Sequence, residues 1–197
     1  MKLMLRKPDP AIISQFLDAE AKLSFSYSAV GATASQPPSG YDVDHTRIKL
    51  GEGEPMFLAA KTALERWEHF RLGWAEAWPS DTPIQEGRGV AMVARSFGLW
   101  SLNACRIVYV LNEDGKRFGF AYGTLPGHVE SGEERFLIER DTTDGSVWYD
   151  ILAFSRPRHI LAHLGYPWVR CLQNRFREHS GAAMQRAVNM AFGVCGR

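Results

Sequence analysis

Two pairs of residues could carry out acid–base chemistry, because each joins a carboxylate to an imidazole. Asp44 is followed directly by His45, and His128 lies two residues before Glu130. A general acid or base must lie within hydrogen-bond reach of the proton that it transfers. Both pairs fall at strand edges beside predicted turns, where solvated polar residues are expected. The spacing alone therefore does not indicate an enzyme.

Other reactive residue types occur without the partners that their chemistry needs. His159 and His163 are four residues apart on a predicted helix, but the helical zinc-protease pattern requires Glu after the first His, where this chain has Ile160. Cys105 lies in the middle of a predicted strand, where a buried apolar role is expected. There is no phosphate-binding P-loop and no Gly-x-Ser-x-Gly motif. The sequence predicts no metal site and no cofactor, and it assigns no catalytic residue.

The aromatic residues are more informative, because many of them fall on predicted strands and helices. Most should fill the core, but a sheet with this many Trp, Tyr and Phe side chains can line a half-apolar ligand cavity. Charged side chains within or beside the strands would orient a ligand if they face inward, and these are Arg88, Arg106, Glu134 and Asp150. The predicted ligand-binding residues are Trp74, Arg88, Tyr109, Tyr122, Phe136, Trp148, Phe154 and Trp168.

Alternation of apolar and polar residues predicts a series of antiparallel strands joined by tight turns. The predicted strands are 41–50, 90–96, 101–111, 117–124, 133–140 and 147–154. In the strand 117–124, Gly119, Ala121 and Gly123 share one face, so another part of the molecule should approach the backbone closely there.

Three helices complete the predicted element order. The first begins at Asp9 and Pro10 and ends near residue 22, and the second runs from Pro55 to about residue 72. A long amphipathic helix begins near Ser155, is kinked at 165–167, and reaches residue 191. This order predicts an α+β fold, in which a curved antiparallel sheet grips a long C-terminal helix as in helix-grip (Bet v 1/START-like) proteins. We expect residues 1–40 to form an N-terminal helix and ordered loop packed on a helix-grip domain at 41–192, giving a single domain.

Composition limits the class of partner. The chain has 197 residues and a formal net charge of +1, so it has no bulk attraction for nucleic acid despite an arginine-rich C-terminal segment. An odd number of cysteines, three, and the absence of a C-x-x-C motif favour reduced thiols and a cytoplasmic location. No apolar run approaches the roughly 18 residues of a membrane span. The sequence does not indicate an oligomeric state.

Five segments resemble the family called domain of unknown function 1990. They are FSYSAVGAT at 25–33, PSGYDVDH at 38–45, GFAYGTLPGH at 119–128, GEERF at 132–136 and WYDILAFSRP at 148–157. The resemblance spans residues 25–188, nearly the whole chain. It implies a fold related to Bet v 1 and supplies no catalytic residues.

Three functions are compatible with this architecture. The protein could bind a small apolar or amphiphilic molecule between the sheet and the long helix, which requires a cavity of roughly 300 Å³ or more. It could instead be an enzyme that acts on a cyclic or aromatic molecule, which requires titratable groups with shifted pKa values in that cavity. As an interaction protein it would have a filled core and an exposed apolar patch.

Overall fold

The computed structural model describes the backbone of residues 2–158 and 166–193, and the side chains of residues 2–158 and 170–193. The elements form one curved antiparallel sheet with a long helix on its concave face. The strands are β1 (Lys2–Met4), β2 (Asp42–Glu52), β3 (Ala75–Trp78), β4 (Gly89–Ser96), β5 (Leu99–Glu113), β6 (Arg117–Thr124), β7 (Glu130–Arg140) and β8 (Ser146–Pro157). Seven strands follow the order β2-β8-β7-β6-β5-β4-β3, and β1 pairs with the beginning of β5.

The six strands predicted from alternation are all present, with ends that differ by a few residues. Strands β1 and β3 were not predicted, because segments of three and four residues are too short to show a period-two pattern. Hairpin connections join consecutive strands from β3 to β8, so neighbouring strands run in opposite directions. This connectivity agrees with the predicted series of hairpins.

Two shorter helices lie on opposite faces of the sheet, the first beside β4 and β5 and the second beside β2 and β7. Helix α1 (Pro10–Glu20) begins as predicted, because the Asp9 side chain accepts a hydrogen bond from the Ile12 N–H at 2.9 Å. Helix α2 (Glu54–Glu65) ends earlier than predicted. Trp67 has a left-handed backbone with φ 57°, and its indole N–H donates to the Thr82 carbonyl at 2.8 Å. That backbone ends the helix and turns the indole into the core.

Helix α3 (Tyr166–Ala191) is the long C-terminal helix. Its predicted start near Ser155 is wrong, because β8 continues through Pro157 in register with β7. His159 and His163 lie outside the described residues, and Pro167 lies in the first turn of α3, where a missing N–H is tolerated. No described helix combines the length and the apolar character that crossing a membrane requires.

The second half of α3 packs closely against the concave face. The Tyr149 and Ser180 hydroxyl groups are 2.9 Å apart, and Met184 and Val188 are completely buried. At Gly181 a Cβ atom would overlap the Ile48 side chain, so a glycine permits the close approach of helix and sheet. The curved sheet therefore grips the helix, and the predicted α+β helix-grip fold is confirmed.

Residues of the N-terminal segment cover the convex face. Ile13 and Phe16 of α1 pack in a separate apolar cluster with Val93 and Leu102. The segment 25–34 follows, and its Tyr27 hydroxyl lies where a Cβ of Gly123 would be. This contact is the close approach that the small residues of β6 predicted.

Candidate ligand-binding site

A cavity of about 300 Å³ lies between the concave face of the sheet and the first half of α3. Its apolar wall comes from the helix, the 3₁₀ turn Glu68–Phe70 and the strands beside them, and consists mainly of Phe70, Trp74, Met92, Leu172 and Phe176. Its polar wall comes mainly from β2, β7 and α3, and includes Asp44, Glu130, Glu134, Gln173 and Arg177. The space is therefore amphiphilic.

The strand register explains why polar and apolar walls meet. Tyr122, Glu134, Ala153 and Asp44 are direct cross-strand neighbours on β6, β7, β8 and β2, and all four line the cavity. Two residues along each strand the same face carries a parallel row of Phe120, Phe136, Ile151 and Thr46. We call this second row the aromatic row, after Phe120 and Phe136, and Phe136 contacts Phe70 and Phe176 of the apolar wall. Because side chains on one face recur every two residues, the concave face changes over a single step from this row to the one that carries Asp44 and Glu134.

Aromatic rings close one end of the cavity. The ring centroids of Phe70 and Phe176 are 4.8 Å apart, and both rings also contact Phe136. On the other side, the short strand β1 places Leu3 against the cavity, and Leu3 is 54% exposed. The cavity thus reaches the protein surface beside Leu3.

Glu134 is the ionisable group nearest the aromatic row. Its Oε2 accepts a hydrogen bond from the Tyr122 hydroxyl at 2.6 Å. Burial raises the pKa of Glu134 from 4.5 to about 7, and the Tyr122 hydrogen bond opposes this rise only in part. Burial also raises the pKa of Tyr122 well above its usual value, so the phenol stays protonated and acts as the donor. Glu134 can therefore exchange a proton near neutral pH.

Asp44 is held in the ionised form by two arginines of α3. Arg170 donates to both carboxylate oxygens of Asp44, and Arg177 Nη1 lies 3.1 Å from Oδ2. Burial alone would raise the pKa of Asp44, but the arginine hydrogen bonds and charges outweigh it and lower the pKa below 3.8. These ion pairs connect the first half of α3 to β2.

His128 and Glu130 both border the cavity. The Glu130 side chain accepts hydrogen bonds from Gln173 at 2.7 Å and Ser155 at 3.3 Å, while burial raises its pKa. His128 Nδ1 accepts the Glu130 backbone N–H at 2.9 Å, and burial lowers the His128 pKa to about 4. By contrast, His45 lies on the convex side, where it contacts Asp150 at 2.7 Å.

His69 lies in the aromatic core with neither ring nitrogen hydrogen-bonded to any described residue. Its ring stacks on Trp67 with a centroid distance of 5.5 Å and contacts Phe136 at 4.6 Å. Burial lowers its pKa to about 3, so the imidazole is neutral. His69 does not line the cavity, and it lies behind the rings that close the cavity.

The structure brings together only part of the predicted binding set. Trp74 and Tyr122 line the cavity, and Phe136 packs directly behind Tyr122 with a centroid distance of 5.4 Å. Phe154 borders the cavity, but its ring packs on the convex face against Tyr27 and Tyr41. The side chain of Trp168 lies outside the described residues.

Three predicted binding residues lie away from the cavity. Arg88 bonds to Gln85 before β4, Tyr109 contacts the Thr33 hydroxyl on the convex face, and Trp148 bonds to Ser146. Of the four charged residues considered as orienting groups, only Glu134 faces the cavity. Arg106 instead binds backbone carbonyls after α1, and Asp150 pairs with Arg135.

Sequence reasoning missed Phe70, Met92, Gln173 and Arg177 as cavity residues. The available indication was the apolar stripe of α3, since Phe176 belongs to it and Gln173 and Arg177 flank Phe176 on the helix surface. Among the described residues, no group of three or more His, Cys, Asp and Glu side chains is arranged to hold a metal ion.

Comparison with known sequences agrees with the family resemblance. Residues 26–183 match the family described as domain of unknown function (DUF1990). The chain belongs to this family. It is 38% identical to a UPF0548 protein of Dictyostelium discoideum, over 93% of this chain and 94% of that protein. It is also 34% identical to a UPF0548 protein of Deinococcus radiodurans, over 94% of this chain and 98% of that protein.

Solved structures with low sequence identity share the fold. The protein TTHA0849 from Thermus thermophilus matches with a TM-score of 0.52 and 13% identity, over 76% of this chain and 99% of that one. A START superfamily protein from Mycobacterium smegmatis matches with a TM-score of 0.52 and 12% identity, over 77% of this chain and 99% of that one. The DUF1990 chain therefore has a Bet v 1/START-like helix-grip fold.

Proposed function

We propose that the protein binds a small amphiphilic molecule in the cavity between the sheet and α3. The observation that supports this proposal is that one cavity has both an apolar wall and a polar wall. Ligand sites are mostly apolar concave spaces in which a few polar groups fix the orientation of the ligand. The apolar part of the ligand lies against Phe70, Met92 and Phe176, and its polar end lies near Glu134.

The size of the cavity limits the ligand. A volume of about 300 Å³ is at the lower end of the range for small-molecule sites. It accommodates a molecule with one or two fused rings or a medium-length alkyl chain, but not a two-chain lipid. The exposed position of Leu3 provides a route from solvent to the cavity.

A fluorescence titration tests the proposal. N-phenyl-1-naphthylamine is an apolar dye, uncharged at neutral pH, whose emission rises when it leaves water. We expect saturable binding to the wild-type protein. Ala153→Leu places a larger side chain on the cavity floor and should weaken binding about tenfold or more, since the removed volume excludes the dye.

Trp148→Ala is the matched control, because Trp148 lies on the same strand but on the convex face. It should bind the dye like the wild type. Circular dichroism and thermal unfolding establish that both variants fold. Equal dye binding by Ala153→Leu and wild type, or no binding by the wild type, would refute the proposal. Native mass spectrometry of freshly purified protein should identify a co-purified molecule.

An enzyme acting on a cyclic or aromatic molecule in the same cavity is the second candidate. The observation that favours it is the Tyr122–Glu134 pair, because a carboxyl group with a pKa of about 7 can donate and accept protons near neutral pH. The test uses the co-purified molecule as substrate. Glu134→Gln should lose turnover, whereas a binding protein shows no turnover in either form.

A further inference from the structure

The charges at the polar wall of the cavity are unequal. Three carboxyl groups, those of Asp44, Glu130 and Glu134, face the cavity together with Arg177, and Arg170 binds Asp44 from α3. Glu133 also borders the cavity, but its carboxylate lies on the convex face, where it binds Tyr27 and Thr33. If all five groups are ionised, three carboxylates and two guanidinium groups leave one negative charge. Above the pKa of Glu134, the cavity wall is therefore unfavourable for an anion and favourable for a cation.

The arrangement of the hydrogen bonds shows which carboxylates carry the excess charge. Asp44 accepts bonds from both arginines, and these three groups together carry one positive charge. Glu130 accepts from Gln173 and Ser155, and Glu134 accepts from Tyr122. Within the described part of the chain, the donors to these two glutamates are all neutral groups, and the charges of Arg170 and Arg177 act on them from a greater distance. A largely buried carboxylate is stabilised best by a cation with N–H donors.

Glu134 is the better partner for a ligand, because of what lies beside it. It is the direct cross-strand neighbour of Ala153, whose small side chain leaves the space above the sheet open. Phe70 lines the cavity with Phe176 and contacts Tyr122, the hydrogen-bond partner of Glu134, with a centroid distance of 6.2 Å. A ligand with a basic nitrogen at Glu134 can thus extend its apolar part over the rings of Phe70 and Phe176, where a cation is also attracted to the ring faces.

We propose that the molecule bound in this cavity carries an amine head group that pairs with Glu134. This inference rests on the proposed function, because it assumes that the cavity holds a small amphiphilic ligand. It adds the chemical class of the ligand: a primary or secondary amine joined to an aromatic ring or a short alkyl chain. Fatty acids and other anionic amphiphiles are disfavoured.

The pairing depends on pH, because Glu134 must be ionised. Burial favours its protonated form, and Glu130 and Asp44 act in the same direction, while Arg177 and the Tyr122 hydrogen bond favour the ionised form. Amine binding should therefore weaken as the pH falls below about 7 and Glu134 takes up a proton. Binding of a neutral alcohol of the same length should change much less, because it needs no ionised partner.

Displacement of N-phenyl-1-naphthylamine by three eight-carbon competitors tests the inference. At about pH 7.5, octylamine should displace the dye at a concentration about tenfold lower than octanol, as expected for a charge-assisted hydrogen bond. Octanoate should be the weakest competitor. In Glu134→Gln, octylamine should displace the dye no better than octanol. The concentration of octanol needed for displacement should stay as in the wild type.

Glu139→Gln is the matched control, since Glu139 lies on the same strand, faces the opposite side and pairs with Arg47 at the surface. It should keep the order of the three competitors. The wild-type titration repeated at about pH 5.5 gives a second measurement without a substitution, and octylamine should lose its advantage there as Glu134 is protonated.

The outcomes separate the two proposals. If the dye binds but octanoate competes as well as octylamine, or if Glu134→Gln keeps the preference for octylamine, the amine assignment is wrong and the binding function stands. If the wild-type protein does not bind the dye, the binding function itself is wrong. A preference for octylamine that disappears in Glu134→Gln and at low pH supports both.

Discussion

The Tyr122 hydroxyl donates a 2.6 Å hydrogen bond to Glu134 from the neighbouring strand, inside the cavity and next to the aromatic row. The bond joins a phenol that stays protonated to a carboxyl group that titrates near neutral pH. Removing the phenol oxygen removes one of the groups that stabilise the ionised carboxylate, the other being Arg177. This pair of residues thus governs how much negative charge Glu134 adds to the cavity wall at pH 7.

We expect the free energy of unfolding to depend on the protonation state of Glu134. Its pKa is about 7 in the folded protein and about 4.5 when exposed to water, so between these values the folded chain holds a proton that the unfolded chain has lost. The free energy of unfolding therefore falls as the pH rises through this interval and is unaffected by Glu134 above it. A shift of this size corresponds to at most about 3 kcal/mol.

Urea unfolding of wild type and Glu134→Gln across this pH range measures the effect. The variant should gain stability relative to the wild type as the pH rises from about 4.5 to about 7, because it lacks the ionisation. The Glu139→Gln control should show no gain of this size. A difference between Glu134→Gln and wild type that is constant with pH would contradict the raised pKa.

Much of the architecture was predictable from local patterns, because each pattern reports a local physical requirement. The alternation in β5 and β6 predicted two strands, and both form. Asp9 and Pro10 predicted the start of α1, and Cys105 was expected to be buried, as it is. These features depend on capping, turn chemistry and side-chain period, which are all encoded within a few residues.

The cavity was only partly predictable, because its lining depends on contacts between distant segments. Alternation in β8 predicts that Trp148 and Ala153 lie on opposite faces of the sheet. It does not indicate which of the two faces is concave. That face is fixed by the contact between Ser180 and Tyr149, which are 31 residues apart. The bulge in β5 between Ile107 and Tyr109 likewise sends Tyr109 to the convex face, and bulges leave no regular pattern in a sequence.

His69 should make the protein sensitive to mild acid. The buried imidazole has a pKa of about 3, whereas in the unfolded chain it takes up a proton near pH 6.5. The unfolded state therefore binds more protons below that pH, and the free energy of unfolding falls as the pH decreases. Between about pH 6.5 and pH 5 this effect amounts to roughly 2 kcal/mol.

His69→Leu should remove this effect, because leucine has no group to protonate. Urea unfolding at about pH 6.5 and pH 5 measures this effect. On going to the lower pH, the free energy of unfolding of the variant should rise by about 2 kcal/mol relative to that of the wild type. His179→Gln, an exposed histidine of α3, is the control. The His69 ring proton shifts in NMR spectra should also stay constant down to about pH 5, and a titration near pH 6.5 would show that the imidazole is not buried as described.

Glu133 should fix the N-terminal segment on the convex face. Only 2% of this carboxylate residue is exposed, and it accepts hydrogen bonds from the Tyr27 hydroxyl at 2.6 Å and from the N–H groups of Gly31 and Thr33. Glu133→Gln replaces one acceptor oxygen by an NH₂ group, so at least one of the N–H and O–H donors that now bind Glu133 would be left without a partner. This should lower the free energy of unfolding by about 3 kcal/mol or more. Urea unfolding measures the loss.

Two further variants separate this contact from a general loss of packing. Tyr27→Phe removes one donor and should cost about 1–3 kcal/mol, while leaving the other bonds to Glu133 in place. Gly123→Ala should displace the Tyr27 hydroxyl and act in the same direction. Hydrogen exchange at Gly31 and Thr33 should accelerate in Glu133→Gln, which weakens the acceptor of both N–H groups, and less in the other two variants, which leave that acceptor in place. Unchanged exchange in Glu133→Gln would show that Glu133 does not hold the segment.

Asp44 should hold the first half of α3 over the cavity. It binds both Arg170 and Arg177, and Arg177 and Gln173 belong to the cavity wall. Asp44→Asn leaves two guanidinium groups without their carboxylate and should lower the free energy of unfolding by about 1–3 kcal/mol. The loss is smaller than for a fully buried ion pair, because Arg170 is partly exposed. Because the pKa of Asp44 is lowered, its stabilising effect should be present above about pH 4 and lost at more acidic pH.

Hydrogen exchange along α3 distinguishes this local role from a global one. In Asp44→Asn, amides of residues 170–177 should exchange faster, whereas those near Ser180 and Met184 should keep their relative protection, since that half packs on Tyr149 and the buried core. Glu52→Gln, which removes a surface ion pair with Lys49 on the same strand, should change neither half. If both halves of α3 lost protection together in Asp44→Asn, the helix would be a single cooperative unit, and the cavity wall could not open without releasing the whole helix from the sheet.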